Sequence, residues 1–568
     1  MNSLVILIIA LIVLVIGYFF YGKRIDRDII KSDPDKATPA KMYMDGVDFT
    51  PASRNVLFGY QYKSIAALGP IVGPVVAVRW GWLPALLWII LGTLFIGWVQ
   101  DYTSQIMPMR EEGKTFGALS YTLISPRART ILLIFIYIYL LLIMGAFGKI
   151  VSADLMTNGT IPLGVIMAIL VGILAGQMIY KWKQDIILTT VIVVILAFIF
   201  IYLGSLEGVK TFFETFNAWQ IKGVPVIWSL LVMIFCFIGG VAAIWRFAQP
   251  VNFISFWIVF LGMIATVLGI LIWHPSFLPE YPAIGAWMGD PAVGPLYPLL
   301  FVTIACGAIS GWHSLVSSSG TARQLEKETD ALPVGGGAMW LEMILAVLAI
   351  IVVVAAVPRE KYLELAAVGK NAGIFATGMT EFLSHVGIPK SFGGAYAGVF
   401  LCLQALTIMW LVVRFMRVAS TEFLGDKIPL FKNIYFGAFI AVLLSILVVW
   451  TGAWATIWTL FGSSNQLMAA LALFLVSIWL LKKKVQNKWV LYPAVFMYIT
   501  TMIALAYTFI KDGFIKGGVS GWLAGIIGLI LFIAALILGW DIYQAIQKHK
   551  AGEVEEIVEE IQEEKANS

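Results

Sequence analysis

The stretch Phe58–Val78 reads FGYQYKSIAALGPIVGPVVAV and decides the fold class. It is long and apolar enough to cross a membrane, which takes about 20 residues. It also holds Lys63 and two prolines, Pro70 and Pro74, each of which removes an intrahelical hydrogen bond. We therefore predict a membrane-spanning helix that is kinked or unwound near Gly69–Pro74.

A second segment, Tyr297–Gln324, also combines polar and helix-breaking residues at membrane depth: Cys306, Gly307, Ser310, Gly311, His313, Ser314, Ser317, Ser318, Ser319, Gly320 and Thr321. Both segments contain the pattern G-x-I-x-G, at Gly69–Gly73 and Gly307–Gly311. Paired, interrupted helices in corresponding positions of two repeats are a sequence pointer to a transporter's binding site. The predicted substrate- or ion-binding residues are Gly69, Pro70, Gly73, Pro74, Gly307, Ser310, Gly311, His313, Ser314, Ser317 and Ser318. The alternative is that the small residues allow close helix packing and each serine bonds to its own helix.

The composition excludes several classes of protein. The chain has 568 residues, of which 60% are hydrophobic and only 12% charged. A soluble domain carries about 25% charged residues, so a soluble enzyme of ordinary type is excluded, and the apolar content excludes disorder. The net charge of +5 is too diffuse for nucleic-acid binding. Three cysteines that lie far apart predict neither a disulfide framework nor a metal site, and no cofactor is expected.

Apolar runs of membrane-spanning length number about fifteen. They lie near residues 3–21, 58–78, 82–106, 131–153, 162–180, 186–204, 224–247, 251–273, 297–319, 337–357, 393–418, 434–451, 453–481, 489–511 and 519–547. We predict an all-α polytopic membrane protein with three parts: a first transmembrane helix and cytoplasmic loop (1–57), a transporter core (58–550) and an acidic cytoplasmic tail (551–568).

The positions of lysine and arginine set the predicted orientation, because cytoplasmic loops retain positive charge. The loop after the first span carries seven such residues between Lys23 and Arg54, so it is placed inside and Met1 outside. Alternation then places the C-terminus inside. The loop 358–392 falls outside although it carries four basic residues, and we interpret it as a folded external element.

Ionisable residues inside spans are candidates for ion coupling. Lys63 is either a fixed or titratable cation or a side chain that extends to the cytoplasmic face. His313 either carries a proton or is a structural histidine. Asp101 and Glu342 are coupling candidates, although their places near predicted cytoplasmic helix ends favour solvated carboxylates. The residues Ser463–Gln466 predict a third polar break.

The sequence lacks the patterns of ATP-driven or catalytic sites. The nearest approach to a phosphate loop, Gly113-Lys114-Thr115, lacks the leading glycine because residue 108 is proline. No nucleophile elbow or ligand-spaced His/Cys cluster occurs. We therefore predict that the protein is not an enzyme.

Several stretches of the chain resemble the carbon starvation protein A family of bacterial inner-membrane transporters. They are Asp45–Pro51 (DGVDFTP), Val56–Ala77, Leu83–Gly92, Cys306–Leu325 (CGAISGWHSLVSSSGTARQL) and Phe461–Ala469 (FGSSNQLMA). The resemblance implies a LeuT-like inverted-repeat core with extra helices, within the amino acid, polyamine and organocation superfamily. It also implies import of pyruvate or peptides when preferred carbon is scarce.

The chain departs from the family's usual pattern at two places. Many members read roughly GHHF where this chain has Gly59–Tyr62, and HD where it has Gln100-Asp101. Lys63 stands where the family usually has a small residue, while the motif histidine His313 is retained. Histidines near the first broken helix are thus absent.

Two functions from different classes follow. The first is a secondary active transporter that imports pyruvate or short peptides by proton or sodium symport, with a small-molecule substrate, a coupling cation and the lipid bilayer as partners. The alternative is a membrane nutrient sensor that binds such a ligand and signals through its cytoplasmic tail. The oligomeric state is not readable from the sequence.

Overall fold

The structure is a computed structural model that describes residues 1–285, 287, 293–451 and 454–551. The predicted acidic tail (551–568) lies outside the described residues apart from Ala551. The helices, in chain order, are α1 (Ser3–Ile30), α2 (Pro39–Met42), α3 (Arg54–Ile65), α4 (Gly69–Ala77), α5 (Trp82–Arg110), α6 (Phe116–Leu123), α7 (Pro126–Leu155), α8 (Pro162–Lys181), α9 (Ile186–Gly204), α10 (Glu207–Glu214), α11 (Val226–Val241), α12 (Ala248–Trp273), α13 (Leu296–Thr303), α14 (Gly311–Ser319), α15 (Glu328–Ala356), α16 (Arg359–Ala367), α17 (Asn371–Ser384), α18 (Lys390–Leu424), α19 (Ile434–Trp450), α20 (Trp454–Lys482), α21 (Lys488–Ile515) and α22 (Gly518–Ala551). Two short antiparallel strands, β1 (Gln220–Ile221) and β2 (Val224–Pro225), form a hairpin before α11.

The predicted spans coincide with the observed helices. Within the described residues, eleven helices are long and apolar enough to cross a membrane, and α11 and α19 are shorter apolar helices. The remaining two predicted spans are the interrupted pairs α3/α4 and α13/α14. The all-α polytopic fold with broken helices is therefore confirmed.

Burial divides the helices into a centre and a periphery. The apolar window of α18 is wholly buried, and α15 and α20 are buried almost as completely. By contrast, α1, α9 and α22 expose many apolar side chains, among them Phe20 and Ile187. So much exposed apolar surface is unfavourable in water, whereas contact with lipid carries no such cost. The protein is thus a multi-pass membrane protein with a closely packed central group of helices.

The first break lies slightly before the predicted position. Helix α3 ends at Ile65, Ala66 has a non-helical backbone, and α4 begins at Gly69 with Pro70 in its first turn. Proline is tolerated there because an N–H in the first turn has no intrahelical acceptor. The unwound residues are therefore Ala66–Leu68, whereas Gly69–Pro74 starts the second half-helix.

The third predicted break is wrong. Helix α20 runs without interruption through Ser463–Gln466. Its two serines bond back to their own helix: Ser464 Oγ donates to the carbonyl of Leu460 at 2.7 Å, and Ser463 Oγ donates to that of Thr459 at 3.2 Å. Serine can satisfy itself in this way without ending a helix.

The loop 358–392 is folded, as predicted, while its external placement stays a prediction. It contains α16 and α17, and α17 buries Phe375, Met379 and Phe382. Helix α17 packs against α4, α12, α15 and α18. Helix α17 therefore packs directly on α4, the second half of the first broken helix.

Candidate functional site

The two breaks meet in the centre of the molecule. A Cβ on Gly69 would lie 2.4 Å from Cys306 Sγ, and one on Gly73 would lie 2.5 Å from the carbonyl oxygen of Thr303. Such distances leave no room for any side chain at either glycine. The G-x-I-x-G pattern of the first segment therefore packs directly on the break of the second.

Side chains from each segment and from α20 satisfy the carbonyls that the breaks release. The indole N–H of Trp312 donates to the carbonyl of Ser64 at 2.6 Å. The Gln466 amide donates to the carbonyls of Phe301 at 2.6 Å and Ile304 at 3.2 Å. Unsatisfied backbone groups at membrane depth cost several kcal/mol, so these bonds stabilise the unwound segments.

Helix α20 also holds the start of α14 through Asn465. Its Oδ1 accepts hydrogen bonds from the backbone N–H of Trp312 at 3.0 Å, from Ser310 Oγ at 3.1 Å and from the Tyr139 hydroxyl at 2.6 Å. Sequence reasoning noticed Asn465 and Gln466 but missed Tyr139 and Trp312. An aromatic residue within an apolar run carries no local sign of such a role.

His313 lies between two carboxylates. Its Nδ1 is 3.0 Å from Asp101 Oδ2, on α5, and its Nε2 is 3.3 Å from Glu342 Oε2, on α15. All three side chains are completely buried. The solvated carboxylates that we expected at Asp101 and Glu342 are therefore wrong: helices α5 and α15 extend well beyond both residues, so neither lies at a helix end.

Hydrogen-bonding capacity remains in this cluster. Among the described residues, Asp101 Oδ1, His313 Nε2 and both carboxylate oxygens of Glu342 have no hydrogen-bond partner. Cys306 Sγ, a ring nitrogen of His313 and a carboxylate oxygen of Glu342 lie within 4.8 Å of one another. These are also donor types of zinc sites, and the absence of a bound metal stays a prediction.

Lys63 does not reach the cytoplasmic face. Its side chain is completely buried, and its Nζ donates to Gln404 Oε1 at 2.5 Å, Thr407 Oγ1 at 2.9 Å and the carbonyl of Leu403 at 3.0 Å. All three acceptors belong to α18. The interpretation that Lys63 extends to the membrane surface is therefore wrong.

The predicted serines divide into two groups. Ser314 Oγ accepts from the Gln100 amide at 2.5 Å, and Ser317 Oγ accepts from the Gln61 amide at 3.0 Å. Ser318 instead donates to the carbonyl of Leu315 on its own helix at 3.4 Å. Ser314 and Ser317 thus connect α14 to α5 and α3. Ser318 bonds to its own helix, as the alternative interpretation of these serines predicts.

The remaining predicted residues serve close packing. A Cβ on Gly307 would lie 2.6 Å from that of Ala346, and one on Gly311 would lie 2.3 Å from the carbonyl oxygen of Asn465. Pro70 and Pro74 are buried in α4.

A cavity of about 490 Å³ leads to the breaks. Its wall includes Gly69 and Ala305 at one end and Arg79, Lys511 and Asp512 elsewhere. The volume lies within the range of about 300–1,000 Å³ that is typical of small-molecule sites. Of the predicted binding residues, only Gly69 is part of this wall in the described part of the chain.

Two ion pairs join other parts of these helices to neighbouring segments. Arg110 Nε, at the end of α5, lies 2.5 Å from Glu328 Oε1, whose side chain is buried. Arg414 Nη1, on α18, lies 2.7 Å from Asp48 Oδ1. Asp48 belongs to the DGVDFTP stretch, so this motif connects the loop after α1 to the central helix.

The sequence profile described as "Carbon starvation protein CstA" matches residues 2–373 and 365–504. The chain belongs to the carbon starvation protein CstA family. Among CstA relatives, the peptide transporter CstA of Bacillus subtilis strain 168 is 27% identical, with 96% of this chain and 97% of that protein covered. The pyruvate/proton symporter BtsT of Escherichia coli K12 is 26% identical, with 89% and 81% covered.

The solved structures to which this CstA family member is similar share little sequence with it. MhsT in complex with L-phenylalanine is 14% identical, with a TM-score of 0.47 and coverage of 85% of this chain and 99% of that one. A mutant of the Eremococcus coleocola manganese transporter is 14% identical, with a TM-score of 0.44 and coverage of 87% and 94%.

Proposed function

We propose that this protein is a secondary active transporter that imports a small organic nutrient, pyruvate or a short peptide, by symport with a cation. The observation that carries the proposal is the meeting of the two broken helices at the end of the 490 Å³ cavity. Half-helix ends present backbone dipoles to a ligand, and a small rotation of either half changes access to the site. The names of CstA relatives support both substrate classes.

The direction of opening agrees with import. The cavity wall includes Arg79, residues 366–369 and Lys511, which the charge pattern places outside. The ion pairs Arg110–Glu328 and Asp48–Arg414 lie on the face that it places in the cytoplasm. In the proposed cycle, the substrate enters from outside, and separation of these ion pairs releases it inside.

The cluster Asp101–His313–Glu342 is the proposed proton-coupling site. It adjoins Cys306, at the break between α13 and α14, and its members come from three different segments. A proton that moves among these groups changes the charges between the helices, and so can change their packing. Ser310, Ser314 and Ser317 are proposed to adjust the packing of α14 during this change.

The proposed setting is the bacterial inner membrane, with Met1 outside and the tail 551–568 in the cytoplasm. Residues 58–550 form the proposed transporter core, preceded by a first helix and loop at 1–57. No catalytic step is proposed for this chain.

Uptake into proteoliposomes tests the function. The purified protein is reconstituted, and labelled pyruvate and labelled dialanine are offered with a proton gradient, with a sodium gradient or with neither. We expect one of these substrates to accumulate when the proton gradient is imposed, and an uncoupler to abolish the accumulation. Empty liposomes are the control.

The opposite result would be informative as well. Absence of accumulation of both substrates under every gradient contradicts the transporter. Saturable binding of either substrate without uptake supports the sensor, which then requires the tail 551–568 for signalling.

A further inference from the structure

Lys63 lies two residues before the end of α3, and its ammonium is enclosed by oxygen atoms of α18. We propose that this ammonium fills a monovalent-cation site on α18, so that a covalently attached cation stands where a free one would otherwise bind. The inference rests on the proposed transport function only for its consequence in uptake; the site itself can be tested without a substrate.

The number of acceptors matches a protonated lysine. An ammonium has three donors and no acceptor. Nζ has three oxygen partners, at 2.5, 2.9 and 3.0 Å. The hydroxyl proton of Thr407 is directed to the carbonyl of Leu403 at 2.7 Å, which leaves Thr407 Oγ1 to accept from Lys63. Each ammonium proton therefore has its own acceptor.

The acceptors have the chemistry of a site for an alkali-metal ion. They are a backbone carbonyl, an amide oxygen and a hydroxyl, and all three are neutral. Hard cations prefer such oxygen ligands, and rings of carbonyl oxygens replace the hydration shell of K⁺ in channels. Among the described residues, no carboxylate lies within ion-pair distance of Nζ. A neutral set of three oxygens suits a single positive charge better than a divalent ion.

The site joins two elements that a transport cycle must move. Lys63 belongs to the first half of the broken helix, and Ser64, which accepts the Trp312 indole N–H through its carbonyl, is the next residue. The acceptors lie near the middle of α18, a helix whose apolar window is wholly buried. A cation at this position holds α3 on α18, and because Lys63 supplies it, the contact needs no ion from solution.

Removal of the side chain should expose the site to free ions. Purified Lys63→Ala is melted in choline chloride and in equal concentrations of sodium, potassium, ammonium or methylammonium chloride. We expect at least one small cation to raise the Tm saturably, by about 2 °C or more, since a ligand that binds the folded state stabilises it. The wild type and Lys63→Met, which fills the space with an uncharged chain, should not respond.

Two further variants make the result decisive. Thr407→Val in the Lys63→Ala background should abolish the rise in Tm, because one of the three oxygens is lost. If Lys63→Ala does not fold, Lys63→Ser replaces it, with the same expectation. A folded Lys63→Ala or Lys63→Ser that responds to none of the four cations overturns the proposal, as does an equal response of the wild type.

Uptake measurements separate this inference from the proposed function. With a transported substrate, Lys63→Ala should lose at least about tenfold in rate in choline and regain it with the cation that stabilises it. If the wild type transports neither pyruvate nor dialanine while the cation still stabilises Lys63→Ala, the site stands and the proposed substrates are wrong.

Discussion

At the residue scale, His313 has the most exceptional surroundings. It is buried, and carboxylates from two different helices lie 3.0 and 3.3 Å from its ring nitrogens. Three ionisable groups buried together are costly unless they share protons and hydrogen bonds. That cost favours a role in coupling over a purely structural one, since an apolar core would be easier to stabilise.

Replacement of His313 by glutamine should lower proton-driven uptake and flatten its dependence on pH. Histidine is the side chain whose charge ordinarily changes between pH 5 and 8, and glutamine cannot carry that proton. Loss of hydrogen bonds to charged groups costs about 1.5–3 kcal/mol, which corresponds to about ten- to a hundredfold in rate. The measurement is initial uptake from pH 5.5 to 8 in proteoliposomes.

His385→Gln is the matched control. This histidine lies after α17 and stacks on Trp273, with ring centroids 4.1 Å apart, and its Nδ1 lies 3.0 Å from the backbone carbonyl oxygen of Glu381. Its replacement should leave the pH profile unchanged. An unchanged profile in His313→Gln would remove His313 from the coupling site.

The side chains at this scale show where sequence reasoning reached its limit. The sequence identified Lys63, Asp101, His313 and Glu342 as unusual for a membrane span, because charge at that depth is rare. It could not show which of these residues lie in contact, because Asp101 and His313 are separated by 212 positions in the chain. Both incorrect interpretations, for Lys63 and for the carboxylates, assumed access to water, which neighbouring helices exclude.

At the element scale, the DGVDFTP stretch forms a compact turn against the central helix. Asp45 Oδ1 accepts backbone hydrogen bonds from Val47, Asp48 and Phe49 at 2.8–2.9 Å, which fixes the turn. Asp48 then reaches Arg414, whose side chain is only 3% exposed. The motif therefore connects the loop after α1 to α18.

Asp48→Asn should weaken this contact and favour opening of the face that we propose to be cytoplasmic. The guanidinium of Arg414 would lose its charged partner in a buried place, at a cost of about 1–3 kcal/mol. We expect a lower Tm and faster exit of preloaded substrate from proteoliposomes. The double variant Asp48→Asn/Arg414→Gln should recover part of the lost stability, because it removes the unpaired charge. Additive effects of the two changes would contradict a direct interaction.

The breaks show which element properties follow from local sequence. Glycine and proline predicted that both helices are interrupted, because each weakens the interior of a helix. Polar residues alone gave a wrong prediction of a helix break at Ser463–Gln466. There α20 stays helical, and Asn465 and Gln466 form hydrogen bonds with the broken pair α13/α14. A polar cluster thus indicates a site without indicating whether the backbone is broken there.

At the scale of the whole molecule, the predicted orientation can be tested by thiol labelling. The three native cysteines are buried, so a membrane-impermeant maleimide should report on introduced ones. Val368 is 63% exposed in the loop placed outside, and Ile428 is 45% exposed in the loop placed inside. Val368→Cys should label in intact cells, and Ile428→Cys only after permeabilisation. The reverse pattern would invert the proposed direction of the cavity.

The sequence by itself determined the polytopic helical class, the positions of the apolar helices and the two interrupted segments. These properties depend on local quantities, namely the apolar length that crosses a bilayer and the backbone limits of glycine and proline. Only the tertiary structure decided that Gly69 packs on Cys306, that His313 lies between Asp101 and Glu342, and that Lys63 binds α18. These contacts join residues far apart in the chain, and they depend on helix packing that forces buried polar groups to find their partners inside the protein.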